Sequence, residues 1–198
     1  RNLALIDLVR DTKRIPGDVV EFGSWKGSTL LLLAKYLAIS DPHGIKIVRG
    51  FSKWDVGFSP EEWTEKDNPS VADYYTGSCK GELGTLAALI DLNSLDGAVE
   101  LYNGDIGDTW PAWLKEYPNR LVSLAYFDMD LHRPTAIGLQ GLHERMVCGA
   151  IIAFDQAQHM DWPGEGQAAM EFLNAHRDAY DVRHVVGARQ PELVLVRR

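Results

Sequence analysis

Short apolar runs alternate with longer helical patterns along the chain. Five of these runs are typical of strands buried in a sheet: Val19–Phe22, Ile45–Phe51, Val99–Tyr102, Leu121–Phe127 and Ala150–Phe154. Helical patterns lie before and between them, in Asn2–Arg14, Thr29–Leu37, Glu82–Leu92, Asp108–Glu116, Thr135–Met146 and Gly166–Arg177. Strands that alternate with helices predict an α/β fold built around a doubly wound, mostly parallel sheet.

The last part of the chain departs from this alternation. Two further predicted strands, Val182–Val186 and Leu193–Val196, are separated only by a turn around Arg189–Pro191. Strands joined by so short a connection pair as an antiparallel hairpin. We therefore expect a seven-stranded, Rossmann-like sheet with one antiparallel strand near the C-terminus. No linker or repeat interrupts the pattern, so residues 1–198 are predicted to form a single domain.

The segment 55–78 fits neither a strand nor a long helix. It is polar and contains Gly57, Pro60 and Pro69, and we predict a long loop with one helical turn at Pro60–Thr64. Loops of this length in compact domains are commonly lids or binding loops. We therefore expect the segment to cover or shape a substrate site.

Composition narrows the possible function classes. The 198 residues carry a formal net charge of −8, which argues against nucleic-acid binding as the main function because phosphate contacts need an excess of Lys and Arg. Two cysteines, Cys79 and Cys148, do not make a disulfide framework. Neither a membrane-spanning run nor a signal-peptide pattern is present, so we predict a cytoplasmic protein without membrane contact.

A glycine turn joins the first predicted strand to the next helix. Gly23 and Gly27 allow the backbone to turn tightly and a ligand to approach it, and Glu21 lies in the strand just before. Dinucleotide-binding turns carry Gly-x-Gly-x-x-Gly, whereas this one reads Glu-x-Gly-x-x-x-Gly. One glycine fewer and a nearby carboxylate favour a cationic ligand without phosphates, such as S-adenosylmethionine. The alternative is a tight turn that binds no ligand.

Carboxylates follow three more predicted strands. Asp105, Asp128 and Asp155 each come at or just after a strand end, and the carboxyl ends of parallel strands meet at one edge of the sheet. Gathered carboxylates repel one another unless a cation or protons neutralise them. Asp128 and Asp155, with Gln156 as a third oxygen donor, are therefore candidate ligands for Mg²⁺.

Two residues near these acids are candidate general bases. Asp130 and His132 follow the strand Leu121–Phe127 in the stretch Phe127-Asp128-Met129-Asp130-Leu131-His132. Either could take a proton from a substrate hydroxyl. Alternatively, Asp130 caps the following helix. The six histidines contain no His-x-x-x-His pair, so a zinc site is not expected.

Several motifs together resemble the macrocin O-methyltransferase family, within the class I S-adenosylmethionine-dependent methyltransferases. The similarity occurs in family order and spans most of the chain. It lies in Gly17–Gly27, Gly50-Phe51, Gly104-Asp105, Asp108–Pro111, Phe127–Leu131 and Trp162–Gly164.

The resemblance implies methylation of a hydroxyl on a sugar or other small natural product, such as an antibiotic precursor. It implies S-adenosylmethionine as donor, Mg²⁺ at Asp128 and Asp155, Asp130 as base, a small-molecule acceptor as partner and a homo-oligomeric protein. The candidate cofactor contacts are Glu21, Gly23, Ser24, Gly27, Ser28, Ser52, Asp105, Ile106 and Asp128.

Three positions depart from the family pattern. The family usually has Tyr at His132, an Asp-Asp pair where this chain has Phe154-Asp155 or Asp155-Gln156, and an acid at Ser52 to bind the cofactor ribose. These departures motivate a second hypothesis, a binding or assembly protein that has kept the fold without catalysis. A nicotinamide-dependent oxidoreductase is a third, weaker alternative, because the third glycine and the ribose-binding acid are both absent.

Overall fold

The computed structural model describes residues 1–185 and 187–198. Its strands are β1 (Asp18–Phe22), β2 (Val48–Ser52), β3 (Val99–Asn103), β4 (Val122–Phe127), β5 (Ile151–Phe154), β6 (Tyr180–Arg183) and β7 (Leu193–Arg197). Its α-helices are α1 (Asn2–Thr12), α2 (Ser28–Ser40), α3 (Pro69–Tyr75), α4 (Leu83–Leu92), α5 (Ile106–Glu116), α6 (His132–Leu139) and α7 (Pro163–Ala175). Short 3₁₀ turns lie at Pro60–Glu62, His143–Arg145 and Arg177–Ala179.

The strands form one seven-stranded sheet in the order β3-β2-β1-β4-β5-β7-β6. Strands β1 to β5 pair in parallel, and β7 is antiparallel to both of its neighbours, β5 and β6. The predicted doubly wound sheet with one antiparallel strand is therefore confirmed. The chain order reverses between β1 and β4, and ligands of open α/β sheets bind beyond the carboxyl ends of the strands at such a switch point.

Two hydrophobic clusters cover the two faces of this sheet. On one face, the rings of Phe22, Phe51 and Phe127 pack with Trp110 and Trp113 of α5. The other face is covered by α1, α2 and α4, whose leucines pack on residues such as Val19, Leu124 and Tyr126. Every residue of β1, β4 and β5 is buried, which explains why these strands appear in the sequence as apolar runs.

Some boundaries differ from the predicted ones for local reasons. The helix predicted to reach Met146 ends at Leu139, because Gly141 with φ +71° turns the chain out of the helix. The helix predicted to begin at Gly166 begins at Pro163, a residue whose fixed φ suits the first helical position. Helix α3 was not predicted; it starts after Asn68, whose side chain accepts the N–H of Ser70.

The strand predicted at Val182–Val186 is observed as β6, and Val186 itself lies outside the described residues. Within residues 1–185 and 187–198, none of the helices combines the length and the apolar character needed to cross a membrane.

Candidate active site

A cavity of about 280 Å³ opens where β1, β2, β3 and β4 end. This volume is near the lower end of the range for small-molecule sites. The strand-end loops and the segment 55–78 form its walls. Its lining residues are Arg1, Gly23, Trp25, Phe51, Ser52, Lys53, Gly57, Phe58, Glu62, Cys79, Gly104, Ile106, Asp128, Met129 and Asp130.

The glycine turn brings β1 against the end of β4. Gly23 has φ +88°, and a Cβ at this position would lie 2.0 Å from the carbonyl oxygen of Asp128. Any side chain there would therefore separate the two loops. Gly23, a predicted cofactor contact, lines the cavity.

The second half of the turn, at Gly27, packs against Leu86 of α4 and does not line the cavity. Gly27 begins α2 with φ +75°, and a Cβ there would lie 2.3 Å from a Leu86 methyl carbon. The Ser28 side chain is exposed, and neither Gly27 nor Ser28 is among the cavity-lining residues. The structure thus separates these two predicted cofactor contacts from Gly23.

Two buried polar groups flank Gly23 in the chain. Glu21 is 1% exposed, and its Oε2 has no hydrogen-bond partner among the described residues; the same holds for Ser24 Oγ. Burial raises the pKa of Glu21 to about 7. Neither residue lines the cavity, so the structure separates these two predicted cofactor contacts from Gly23 as well.

The ends of β2 and β3 form another part of the wall. Two of the predicted cofactor contacts, Ser52 and Ile106, line the cavity. Asp105 does not: its carboxylate accepts the N–H of Gly107 at 2.8 Å and so caps α5. The Lys53 ammonium lies 3.6 Å from the same carboxylate. Asp105 is thus placed as a helix cap beside the cavity.

Asp128 and Asp155 come together at the ends of β4 and β5, as predicted. The hydroxyl of Tyr126 donates to Asp155 Oδ1 at 2.6 Å, and the Arg1 guanidinium lies 3.2 Å from Asp128 and 3.5 Å from Asp155. Burial raises the pKa of Asp155. The pKa of Asp128 is raised well above its usual value, mainly by burial and also by repulsion from Asp155. The site therefore attracts positive charge.

Asp130 lies at the cavity in an uncommon backbone conformation. Its φ is +62°, a left-handed value that few residues other than glycine adopt. Burial raises the pKa of its carboxyl group to about 7, which suits a general base at neutral pH. Leu131, not Asp130, is the N-cap of α6, and the side chain that accepts a backbone N–H at the start of this helix belongs to Asp67. The alternative role of Asp130 as a helix cap is therefore wrong.

Glu165 supports the loops around the cavity, although no sequence pattern singled it out. This fully buried carboxylate accepts backbone N–H groups from Met129 at 2.8 Å and Asp130 at 3.0 Å through Oε2. Its Oε1 accepts the N–H of Gln156 at 2.9 Å. One side chain thus joins the loop after β4 to the loop after β5. In the sequence it is merely an acid in the first turn of a helix, a common helix-dipole pattern.

The structure places His132 away from the cavity. Its Nε2 lies 3.0 Å from Glu171 Oε2 and 3.0 Å from Lys66 Nζ, and its backbone N–H donates to Asp67 Oδ1 at 2.8 Å. His132 is not a lining residue. It connects α6 to α7 and to the segment 55–78, so the geometry favours Asp130 over His132 as the base.

The metal prediction is not confirmed. Among residues 1–185 and 187–198, no three His, Cys, Asp or Glu side chains are grouped closely enough to hold one metal ion. Two buried oxygens at the predicted site, Asp155 Oδ2 and Gln156 Oε1, have no hydrogen-bond partner in the same residues. Asp155 Oδ2 nevertheless lies 3.5 Å from the Arg1 guanidinium, so a cation bound there would have to replace this contact.

The segment 55–78 closes one side of the cavity through Gly57, Phe58 and Glu62. Rings from this segment pack on the start of α7: Trp162 is 5.9 Å from Phe58, 6.1 Å from Trp63 and 4.8 Å from Tyr75 between ring centroids. Trp54, just before the segment, is fully buried and so unavailable for stacking on a ligand.

Comparisons with known proteins agree with this architecture. The calicheamicin methyltransferase CalS11 is 25% identical with a TM-score of 0.81; the match covers 98% of this chain and 77% of CalS11. Its apo structure, described as TDP-rhamnose 3'-O-methyltransferase, is 26% identical with a TM-score of 0.75 over 98% and 77% of the two chains. The O-methyltransferase NovP shares the fold at 20% identity, with a TM-score of 0.80 over 100% of this chain and 79% of NovP.

A methyltransferase from Podospora anserina, PaMTH1, solved with bound S-adenosylhomocysteine, shares the fold at 13% identity, with a TM-score of 0.59 over 96% and 75% of the two chains. No curated protein sequence matches the chain. The family model described as macrocin O-methyltransferase (TylF) matches residues 4–188. The chain therefore belongs to the macrocin O-methyltransferase family.

Proposed function

We propose that this protein transfers a methyl group from S-adenosylmethionine to a hydroxyl group of a sugar-bearing natural product. Family membership and the similarity to CalS11, a TDP-rhamnose 3'-O-methyltransferase, support this acceptor class. The fold shared with PaMTH1, which was solved with S-adenosylhomocysteine, supports the donor.

The observation that carries the proposal is the position of Asp130. Asp130 lines the same cavity as Gly23 and Ser52, at the switch point of the sheet, and burial raises the pKa of its carboxyl group to about 7. Such a group is a competent proton acceptor beside a site where a small molecule can lie against the backbone.

Methyl transfer is an in-line displacement. The acceptor oxygen forms a bond to the methyl carbon while the carbon–sulfur bond breaks, and Asp130 takes the proton that the hydroxyl loses. The products are a methyl ether and S-adenosylhomocysteine. Holding the two reactants in line is the larger part of the catalytic task, since orientation alone can supply roughly 7–11 kcal/mol.

The remaining lining residues divide this task. Gly23, Ser52 and Ile106 provide the wall on the side of β1, β2 and α5, where the donor would lie. Asp128 lines the cavity with Gly23, and a cationic sulfonium bound there would favour the ionised form of its carboxyl group. The segment 55–78 closes another part of the wall with Phe58, where the acceptor would lie and water would be excluded.

We further propose that Mg²⁺ assists this reaction. Asp128, Asp155 and Gln156 would hold it in place of the Arg1 guanidinium, which lies beside both acids, and the ion would lower the pKa of an acceptor hydroxyl. We also propose a homo-oligomer in the cytoplasm that acts on a small molecule, without nucleic-acid or membrane partners.

An acceptor screen tests the proposal. The purified protein is incubated with S-adenosylmethionine and a panel of nucleoside-diphosphate sugars and glycosylated natural products, and S-adenosylhomocysteine and methylated acceptor are quantified by mass spectrometry. The two products should appear in equal amounts with the wild type and fall at least about a hundredfold with Asp130→Asn. If wild type and Asp130→Asn form equal product, Asp130 is not the base. If the donor binds but neither protein methylates any acceptor, the binding-protein alternative is favoured.

A further inference from the structure

The end of β2 lacks a group that nucleoside ligands usually require. In doubly wound folds, an acid after the second strand hydrogen-bonds the ribose hydroxyls of the ligand. Here the residue at this place is Ser52, which lines the cavity but carries no carboxylate. The acid that follows β3, Asp105, caps α5. The ribose contact therefore needs another source.

Glu62 brings a carboxylate to the same wall. It ends the 3₁₀ turn Pro60–Glu62 in the segment 55–78, is 7% exposed, and lines the cavity together with Ser52 and Lys53. A buried acid on a surface segment is uncommon unless it is paired or has a function. Its neighbour Glu61, in the same turn, is exposed and does not line the cavity.

The two oxygens of Glu62 have different environments. Oε2 accepts from the backbone N–H of Ser59 at 2.7 Å and from its hydroxyl at 3.0 Å, and the Lys53 ammonium lies 2.8 Å away. Oε1 makes no hydrogen bond within residues 1–185 and 187–198, and this oxygen atom is not fully buried. Oε1 is therefore open to a ligand.

Lys53 fixes the orientation of this carboxylate. It directly follows Ser52, and its ammonium contacts Glu62 Oε2 and, more distantly, Asp105 at 3.6 Å. The ion pair ties the segment 55–78 to the ends of β2 and β3. A carboxylate oxygen accepts a stronger hydrogen bond from a hydroxyl than a neutral oxygen does.

We propose that Glu62, through Oε1, accepts hydrogen bonds from the ribose hydroxyls of the cofactor and so supplies the carboxylate that Ser52 lacks. This inference rests on the proposed use of S-adenosylmethionine. It gives the segment 55–78 a second role, because cofactor binding then holds this segment against the end of β2.

Calorimetric titration with S-adenosylhomocysteine tests the assignment. Glu62→Gln should weaken binding about tenfold, as expected for loss of a charge-assisted hydrogen bond. Glu61→Gln, the matched control in the same turn, should leave the dissociation constant unchanged. The double variant Ser52→Asp/Glu62→Gln should recover most of the affinity, because the carboxylate returns at the end of β2.

A second ligand separates ribose binding from a purely structural role. The 2',3'-dideoxy analogue of S-adenosylhomocysteine lacks both hydroxyls, so wild type and Glu62→Gln should bind it equally. An equal loss of affinity for both ligands, or no loss for either, would overturn the inference while the proposed function stands. If wild type binds no S-adenosylhomocysteine at all, both the inference and the proposed function fail.

Discussion

The backbone N–H of Asp130 donates a hydrogen bond to the carboxylate of Glu165 at 3.0 Å, and the N–H of Glu165 returns one to the carbonyl of Asp130 at 3.3 Å. This reciprocal pair joins the start of α7 to the loop that carries the proposed base. Asp130 has φ +62°, a conformation that must be held by its surroundings. Glu165 therefore acts as a positioning residue for Asp130.

Removing the Glu165 carboxylate should damage both stability and activity. Glu165→Ala leaves three backbone N–H groups without their acceptor, and each unsatisfied buried donor costs about 1–3 kcal/mol. We expect the free energy of unfolding, measured by urea titration, to fall by at least about 3 kcal/mol.

The more conservative Glu165→Gln keeps one acceptor oxygen and should keep the fold while lowering kcat more than it changes KM. Glu116→Ala, at an exposed position in the last turn of α5, serves as the control and should change neither property. A Glu165→Gln enzyme with wild-type kcat would show that this carboxylate does not position the base.

The proposed base predicts a definite pH dependence. Asp130 must be deprotonated to accept a proton, and burial raises its pKa to about 7. The logarithm of kcat/KM should therefore rise with a slope of about one up to about pH 7 and then level off. Asp130→Asn should abolish this dependence together with most of the activity. A rate that stays flat from pH 5 to pH 8 would argue against Asp130.

Glu21 should make the fold less stable as the pH rises. Burial raises its pKa to about 7 in the folded state from an ordinary value of 4.5, so the folded state binds more protons than the unfolded state between these values. The free energy of unfolding should fall across this window by an amount on the order of 3 kcal/mol from this residue.

Glu21→Gln removes this titration and should raise stability at pH 8 relative to wild type, with little change at pH 4. Thermal unfolding of the two proteins at both pH values measures the difference. Equal stability at pH 8 would mean that Glu21 is neutralised by a partner in the folded state.

His132 should behave as a structural residue. Its imidazole contacts Glu171 and Lys66 and does not line the cavity. His132→Asn should lower the free energy of unfolding by about 1 kcal/mol through the lost hydrogen bonds and leave the midpoint of the pH–rate profile unchanged. A shift of that midpoint would return His132 to the list of candidate bases.

The order of strands and helices and the acids at strand ends could be predicted from the sequence because both follow from local patterns. Buried parallel strands are apolar runs, and their ends share one edge of the sheet. Roles that depend on side-chain direction could not be predicted. Asp105 turns back to cap α5, and His132 points toward α7.

Contacts between residues that lie far apart in the chain could not be predicted from local sequence patterns either. Glu165 reaches Met129 and Asp130 across 35 or 36 positions of the chain, and no spacing rule connects them. Glu62 is similar, because its place at the cavity follows from how the segment 55–78 folds back on β2. Both acids had the appearance of ordinary first-turn residues near a proline.

Titration of the wild-type protein with S-adenosylhomocysteine in a calorimeter tests the central claim most directly. We expect saturable binding at one site per chain with a dissociation constant in the micromolar range, and unchanged binding by Asp130→Asn, since this residue is assigned to the acceptor proton. No heat of binding at millimolar ligand would contradict the assignment of the cavity beside Gly23 to S-adenosylmethionine.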